Sequence, residues 1–191
     1  MPRLSKEMKK YLPILLILLL ALLLRLFWLT EVPPGLTHDE ANHGREAIGV
    51  LDGELLFYFP LNYGSEPLYS YTVAGSMLLF GENLFALRLV NVIFGVLAIA
   101  ATYFWGRWAL GERVGLVTAV LMSVSFWPLA SSREALRAGM LPFFMVCAVW
   151  FFWKILFSAP STPTLTLPLK GGGDLAPSPC QGEGWGSANS K

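Results

Sequence analysis

Four apolar runs, each long enough to cross a lipid bilayer, constrain this chain more than any other feature. They are Tyr11–Leu29, Leu84–Trp105, Val114–Ala130 and Gly139–Phe157. An α-helix rises about 1.5 Å per residue, so about 20 apolar residues match the roughly 30 Å hydrocarbon core of a membrane. Of the 191 residues, 54% are apolar and only 14% charged, a balance that a water-soluble domain of this size does not show. The expected fold class is an all-α membrane protein with about four transmembrane helices. Nucleic acid is an unsuitable partner, because 14 basic residues are matched by 13 acidic ones and form no basic stripe. Cys147 and Cys180 offer neither a disulfide framework nor a zinc-ligand spacing.

Charge sets the orientation. Arg3, Lys6, Lys9 and Lys10 precede the first run, which places residues 1–10 in the cytoplasm. No small-x-small cleavage site follows that run, so it reads as an uncleaved anchor rather than a signal peptide. Residues 31–83 then form an external loop, and its stretch from Glu31 to Glu66 holds seven acids against one base, Arg45. A fifth apolar run, Leu68–Phe80, is short. If it lies on the surface, Arg107 and Arg113 fall on the cytoplasmic side, as the positive-inside rule prefers; if it crosses, they are pushed outside. The expected architecture is four spans over residues 11–157 with juxtamembrane helices in the first external loop. Residues 158–191 are rich in Pro, Gly and Ser without any helical or strand period, and read as a disordered low-complexity tail. That tail also resembles the translated product of a dispersed bacterial repeat, as an interrupted reading frame would give.

The external loop carries the chemistry. Pro33-Pro34-Gly35 ends the first helix, and Thr37-His38-Asp39-Glu40 has the pattern of a capping box that opens a helix running to Leu51. On that helix Asp39, His43 and Glu46 share a face, expected to look toward water, while Ala47, Ile48 and Leu51 form the apolar face. Taken singly these residues have plain structural explanations: Glu40 closes the cap, and Asp39 is favoured in a first turn by the helix dipole. His38 and His43 lack the i, i+4 spacing of a helical zinc pair. Phe57, Tyr58, Phe59, Tyr63, Tyr69 and Tyr71 crowd around Glu66-Pro67, as aromatics do at headgroup level.

Arg88 lies a few residues into the second span, where a central position would cost about 2.5–3.5 kcal/mol. Snorkelling to the outer surface would reduce that cost. Arg133, Glu134 and Arg137 fall between the third and fourth spans, on the same side, whereas Arg25 reads as an interfacial anchor. One membrane face thus collects carboxylates, suited to proton abstraction or metal coordination, and guanidinium groups, suited to bidentate phosphate contact. A phosphate-headed lipid would meet both.

The segments HDEANHGREA, SEPLYSY, FGENLFALRLVNVIFG, ALGERVGLVTAVLMSVS and SREALRAGMLPFF, in that order, resemble the N-terminal part of the membrane glycosyltransferases that use polyprenyl-phosphate sugars. These include the protein O-mannosyltransferases and the bacterial aminoarabinose transferase of lipid A, which share the GT-C fold. The resemblance implies a partial GT-C fold, a bacterial inner membrane location, and transfer of a sugar from a polyprenyl phosphate to a lipid, glycan or protein hydroxyl with inversion. It implies Asp39 as the catalytic acid-base, with Glu40, Glu66, Arg88, Arg133 and Arg137 toward the substrate. Glu66 matches an acid that can help bind metal in the aminoarabinose branch, but Pro67 stands where that branch has a phosphate-binding lysine. Ala138 and Gly139 stand near the place of a second-loop aspartate of the same branch. No cofactor is required, and a divalent metal is compatible with the pattern. The family's chains are several-fold longer, so two alternatives stand beside the transferase. One is an inactive truncated remnant. The other is a non-catalytic subunit whose Gly95, Ala98 and Ala101 pack against partner helices.

Overall fold

A computed structural model describes residues 2–61 and 64–158. The expected low-complexity tail lies outside the described residues. The described chain is all-α, with seven helices: α1 (Pro2–Leu26), α2 (His38–Leu51), α3 (Pro67–Phe80), α4 (Leu84–Leu110), α5 (Glu112–Val124), α6 (Phe126–Ser131) and α7 (Leu141–Ser158). A 3-10 turn, Arg137–Met140, leads into α7.

Two helical stretches, Leu84–Leu110 and Arg137–Phe157, are long and apolar enough to cross a membrane. The expected third span is not one helix. It breaks at Ser125, whose extended backbone separates α5 from α6. Pro128 explains the break: its ring would clash with the Val124 carbonyl in a continuous helix and it brings no N–H to the ladder. α5 alone, at 13 residues, reaches about 20 Å. The first run is helical only as far as Leu26, after which Trp28 adopts a left-handed conformation (φ 49°) and the chain turns toward Pro33.

α4 is the central helix. At its C-terminal end Arg107 lies over the Tyr11 ring at 5.5 Å, so α1 runs antiparallel to it. Trp105 meets Trp153 at 6.4 Å between ring centroids, so α7 runs parallel to it. α5 returns along α4 after the turn at Gly111. Gly115 makes that hairpin tight: a Cβ there would stand 2.9 Å from both the Tyr103 carbonyl oxygen and the Arg107 nitrogen. Buried Ile14, Ala21, Ile99, Tyr103 and Ala119 fill the space among α1, α4 and α5. The small residues Gly95, Ala98 and Ala101 face the chain's own bundle, against Arg25 and Ser132 in the case of Gly95, rather than an outside helix.

The short run Leu68–Phe80 forms α3, which packs on α2 and on the first half of α4 around Val73, Met77, Leu87 and Val90. Its start is tied to the turn before α7 through Glu66 and Arg137, 3.3 Å apart. Its last residue, Phe80, packs edge-on against Phe85 in the first turn of α4, and Ser76 Oγ donates to the Ala86 carbonyl at 2.7 Å. Both ends of α3 therefore stay at the end of the bundle where α4 begins.

Candidate functional site

The chain assembles its charged residues where α2 starts, α4 starts and α7 is about to start. The capping box forms as the sequence predicts. Thr37 Oγ1 accepts the Glu40 N–H at 3.3 Å, and Glu40 Oε2 accepts the Thr37 N–H at 3.0 Å. Glu40 does more than close the cap. Its carboxylate is fully buried and takes two hydrogen bonds from Arg88, Nε to Oε1 at 2.9 Å and Nη2 to Oε2 at 3.1 Å. The Ala135 N–H, from the segment before α7, donates to Oε1 at 2.8 Å. One carboxylate thus joins α2, α4 and the α6–α7 connection. Burial alone would raise its pKa; the Arg88 hydrogen bond, the Ala135 and Thr37 N–H groups and the Arg88 charge outweigh that and hold it below the ordinary glutamate value.

Arg88 does not snorkel. Its side chain is fully buried, and the donors not used on Glu40 reach the carbonyls of Leu29 (3.0 Å), Pro33 (2.9 Å) and Gly35 (2.6 Å). All five guanidinium N–H groups are thereby engaged. Arg133 acts in the same way, donating to the carbonyls of Leu24 (2.9 Å), Phe27 (2.6 Å), Trp28 (3.0 Å) and Val32 (3.0 Å). These include carbonyls that the end of α1 leaves without helical partners. Burial and then the nearby Arg88 charge lower the Arg133 pKa. Arg25, expected at the interface, is instead fully buried and reaches the carbonyls of Met122 and Ser123 in the last turn of α5. Its position follows from the break at Ser125, which leaves those carbonyls open.

Arg137 differs. It is partly exposed, donates through Nη1 to the Gly64 carbonyl at 2.7 Å, and lies 3.3 Å from the exposed Glu66 carboxylate. Asn91 on α4 holds the backbone between these arginines by donating to the carbonyls of Glu134 and Leu136. Asp39 sits exposed in the first turn of α2, beside Glu40.

The expected water-facing acidic stripe on α2 is only partly so. Asp39 is exposed, but His43 and Glu46 turn inward with Ala47. Glu46 accepts from Ser70 Oγ at 2.7 Å and from Ser65 Oγ at 3.1 Å, and lies 3.1 Å from His43 Nδ1. The two serines, on α3 and the segment before it, give the carboxylate a reason to face the protein that helix periodicity on α2 alone could not supply. Tyr69 stacks edge-on against His43 with centroids 4.8 Å apart. Burial, and then the Glu40 charge, hold its phenol above the ordinary range.

Two mostly apolar cavities open beside this cluster. One, of about 350 Å³, is lined by Val32, Pro33, Phe126, Leu129, Arg133 and Glu134 among others. The other, of about 270 Å³, is lined by Glu66, Leu68, Tyr69, Arg137, Met140 and Phe144 among others. A divalent metal does not fit the donor set: among the described residues no three His, Cys, Asp or Glu side chains converge, and Glu66 already faces a guanidinium.

The described residues thus form a helical bundle with two stretches long and apolar enough to cross a membrane and a cluster of carboxylates and arginines at one end. The model of the dolichyl-phosphate-mannose-protein mannosyltransferase family matches residues 64–162, just over half of the chain, and the chain belongs to that GT-C family. No curated protein and no solved structure matches. The matched segment contains Glu66, Arg88, Arg133 and Arg137, whereas Asp39 and Glu40 precede it. Glu40 nonetheless belongs to the same cluster, through its hydrogen bonds to Arg88 and Ala135.

Proposed function

We propose that the chain carries the acid-base end of a glycosyltransferase that moves a sugar from a polyprenyl phosphate to an acceptor hydroxyl, with inversion. In this reading it resides in a bacterial plasma membrane with its N-terminus cytoplasmic. α1 and the α5–α6 pair cross together with α4 and α7, and the charged cluster lies at the outer interface. Family membership supports the donor class. The observation that carries the placement is the buried Glu40–Arg88 pair, which locks the first turn of α2, and with it Asp39, to the start of α4.

Asp39 is the general base. It removes the acceptor's proton as that oxygen attacks the anomeric carbon, and the polyprenyl phosphate leaves from the opposite face. Glu40, Arg88 and Arg133 serve as positioning residues, because their hydrogen-bonding groups are directed to one another and to backbone. Arg137 meets the donor phosphate and stabilises the charge it gains on departure, with Glu66 orienting the guanidinium. The apolar cavity beside Arg137, lined by Leu68, Met140 and Phe144, accommodates the start of the isoprenoid chain.

Membranes containing the protein, supplied with labelled polyprenyl-phosphate mannose, should transfer label to an acceptor. Asp39→Asn should reduce that rate at least about a hundredfold. Equal turnover in parent and variant removes Asp39 from the mechanism. Absence of transfer by the parent removes the catalytic reading altogether. Arg137→Met should lower kcat and kcat/KM for the donor; unchanged kinetics assign the phosphate to another group.

A further inference from the structure

Arg25 is buried inside the bundle, yet its guanidinium is incompletely satisfied. Nη1 and Nη2 donate to four carbonyls, of Ala21, Ser123, Met122 and Pro128, at 3.2–3.4 Å. These are long bonds, and Nε has no hydrogen-bond partner among the described residues. A buried donor left in that state is costly, more so when charged. A small cavity of about 30 Å³ lies beside it, bordered by Arg25, Gly95, Pro128, Ser131 and Ser132 among others. Gly95 shows where its polar walls meet. A Cβ built on that glycine would stand 2.7 Å from Ser132 Cβ, 3.2 Å from Arg25 Nε and 3.3 Å from Ser132 Oγ. Arg25 Nε and Ser132 Oγ therefore both lie close to Gly95 on the border of that cavity. Ser132 Oγ donates its own proton to the Leu129 carbonyl at 2.9 Å, so toward that space it offers lone pairs.

We infer that this space binds one water molecule, which accepts from Arg25 Nε–H and donates to Ser132 Oγ. The volume exceeds the roughly 10–15 Å³ that one water needs, and donor and acceptor are both present. A small anion is the competing ligand for a cation without a carboxylate partner. The field opposes it: Arg25 sits at the C-terminal end of α5 among four carbonyl oxygens, where the helix dipole is negative and already compensates the guanidinium. A water completes the guanidinium without adding charge. It also ties α1 to the residue that follows α6, immediately before Arg133. The site thus sits behind the connection that carries Arg133, Glu134 and Arg137, and is independent of whether the chain transfers sugar.

The test uses the whole chain in lipid nanodiscs with ¹⁵N-labelled arginine. The Arg25 Nε–Hε resonance is assigned by its loss in Arg25→Lys. A dipolar cross peak from that proton to the water frequency, with the sign of a long-lived water, is expected in the parent. Gly95→Ala, whose Cβ would meet Ser132 Cβ at 2.7 Å and so displaces Ser132, should remove the cross peak while the Arg25 resonance persists. Ser132→Ala, which needs no new room, should weaken it severalfold. An Arg25 resonance with no water cross peak in the parent overturns the inference, as does a cross peak retained at full strength in both variants. A resonance that shifts when chloride is exchanged for bromide or for gluconate identifies a halide instead and overturns it too.

Discussion

At the residue scale, arginine is the side chain that organises this molecule, and it does so mostly through backbone carbonyls. Arg25, Arg88 and Arg133 each lie where a helix has ended or the chain has broken, and each gathers the oxygens left open there. Position in the sequence could place Arg88 and Arg133 at the same end of the bundle as Glu40. It could not decide whether a guanidinium faces a ligand or the protein, because that depends on which carbonyls the fold leaves open. Arg25 shows the limit clearly: its carbonyls are open because of a break almost a hundred residues away. Removing the Arg88 guanidinium strands a buried carboxylate, so Arg88→Met should destabilise the fold by about 3–5 kcal/mol in reversible detergent unfolding. Adding Glu40→Gln to Arg88→Met should recover part of that loss, and additive losses would show that the pair is not coupled. Glu40 also sets a pH dependence. Its folded pKa lies below the ordinary value, so its contribution is complete at neutral pH and is lost as pH falls through and below the usual carboxylate range. The acid limb of the unfolding midpoint should flatten in Glu40→Gln.

At the element scale, the legible parts were those governed by local chemistry. The Thr37 capping box and the helix to Leu51 follow from a four-residue pattern and an apolar period, and the structure reproduces both. Hydropathy gives Val114–Ala130 as one span because it is insensitive to the missing N–H of Pro128; the proline is the available signal for the break. Side-chain direction on α2 was half legible. Asp39 faces outward as expected, but Glu46 is turned inward by Ser65 and Ser70, which no pattern within α2 could reveal. The α4–α5 hairpin makes a separate prediction. Gly115→Val would drive a side chain into the backbone at Tyr103 and Arg107, and should lower the thermal midpoint in detergent by several degrees, whereas Val→Ala at the exposed Val117 should change it little. Equal effects would mean that the helices separate without cost.

At the scale of the whole molecule, chemistry is confined to one end. Residues from the α1–α2 connection, the start of α3, the start of α4 and the approach to α7 converge there, while Tyr11, Arg107 and Glu112 mark the opposite end. Cysteine introduced at the exposed Phe57 should therefore react with an impermeant thiol reagent added outside intact cells, and cysteine at Glu112 should react only after permeabilisation, in a Cys147→Ser, Cys180→Ser background. The reverse pattern would turn the chemistry toward the cytosol and remove the outer-face transferase reading. The shared hydrogen bonds of Glu40 also impose an order on biosynthesis. The acid leaves the ribosome first; Arg88 follows 48 residues later, and the Ala135 amide 95 residues after the acid. Arg88 is thus made when its counter-charge already exists, and the last of the three partners in this latch joins only once the approach to α7 has been synthesised.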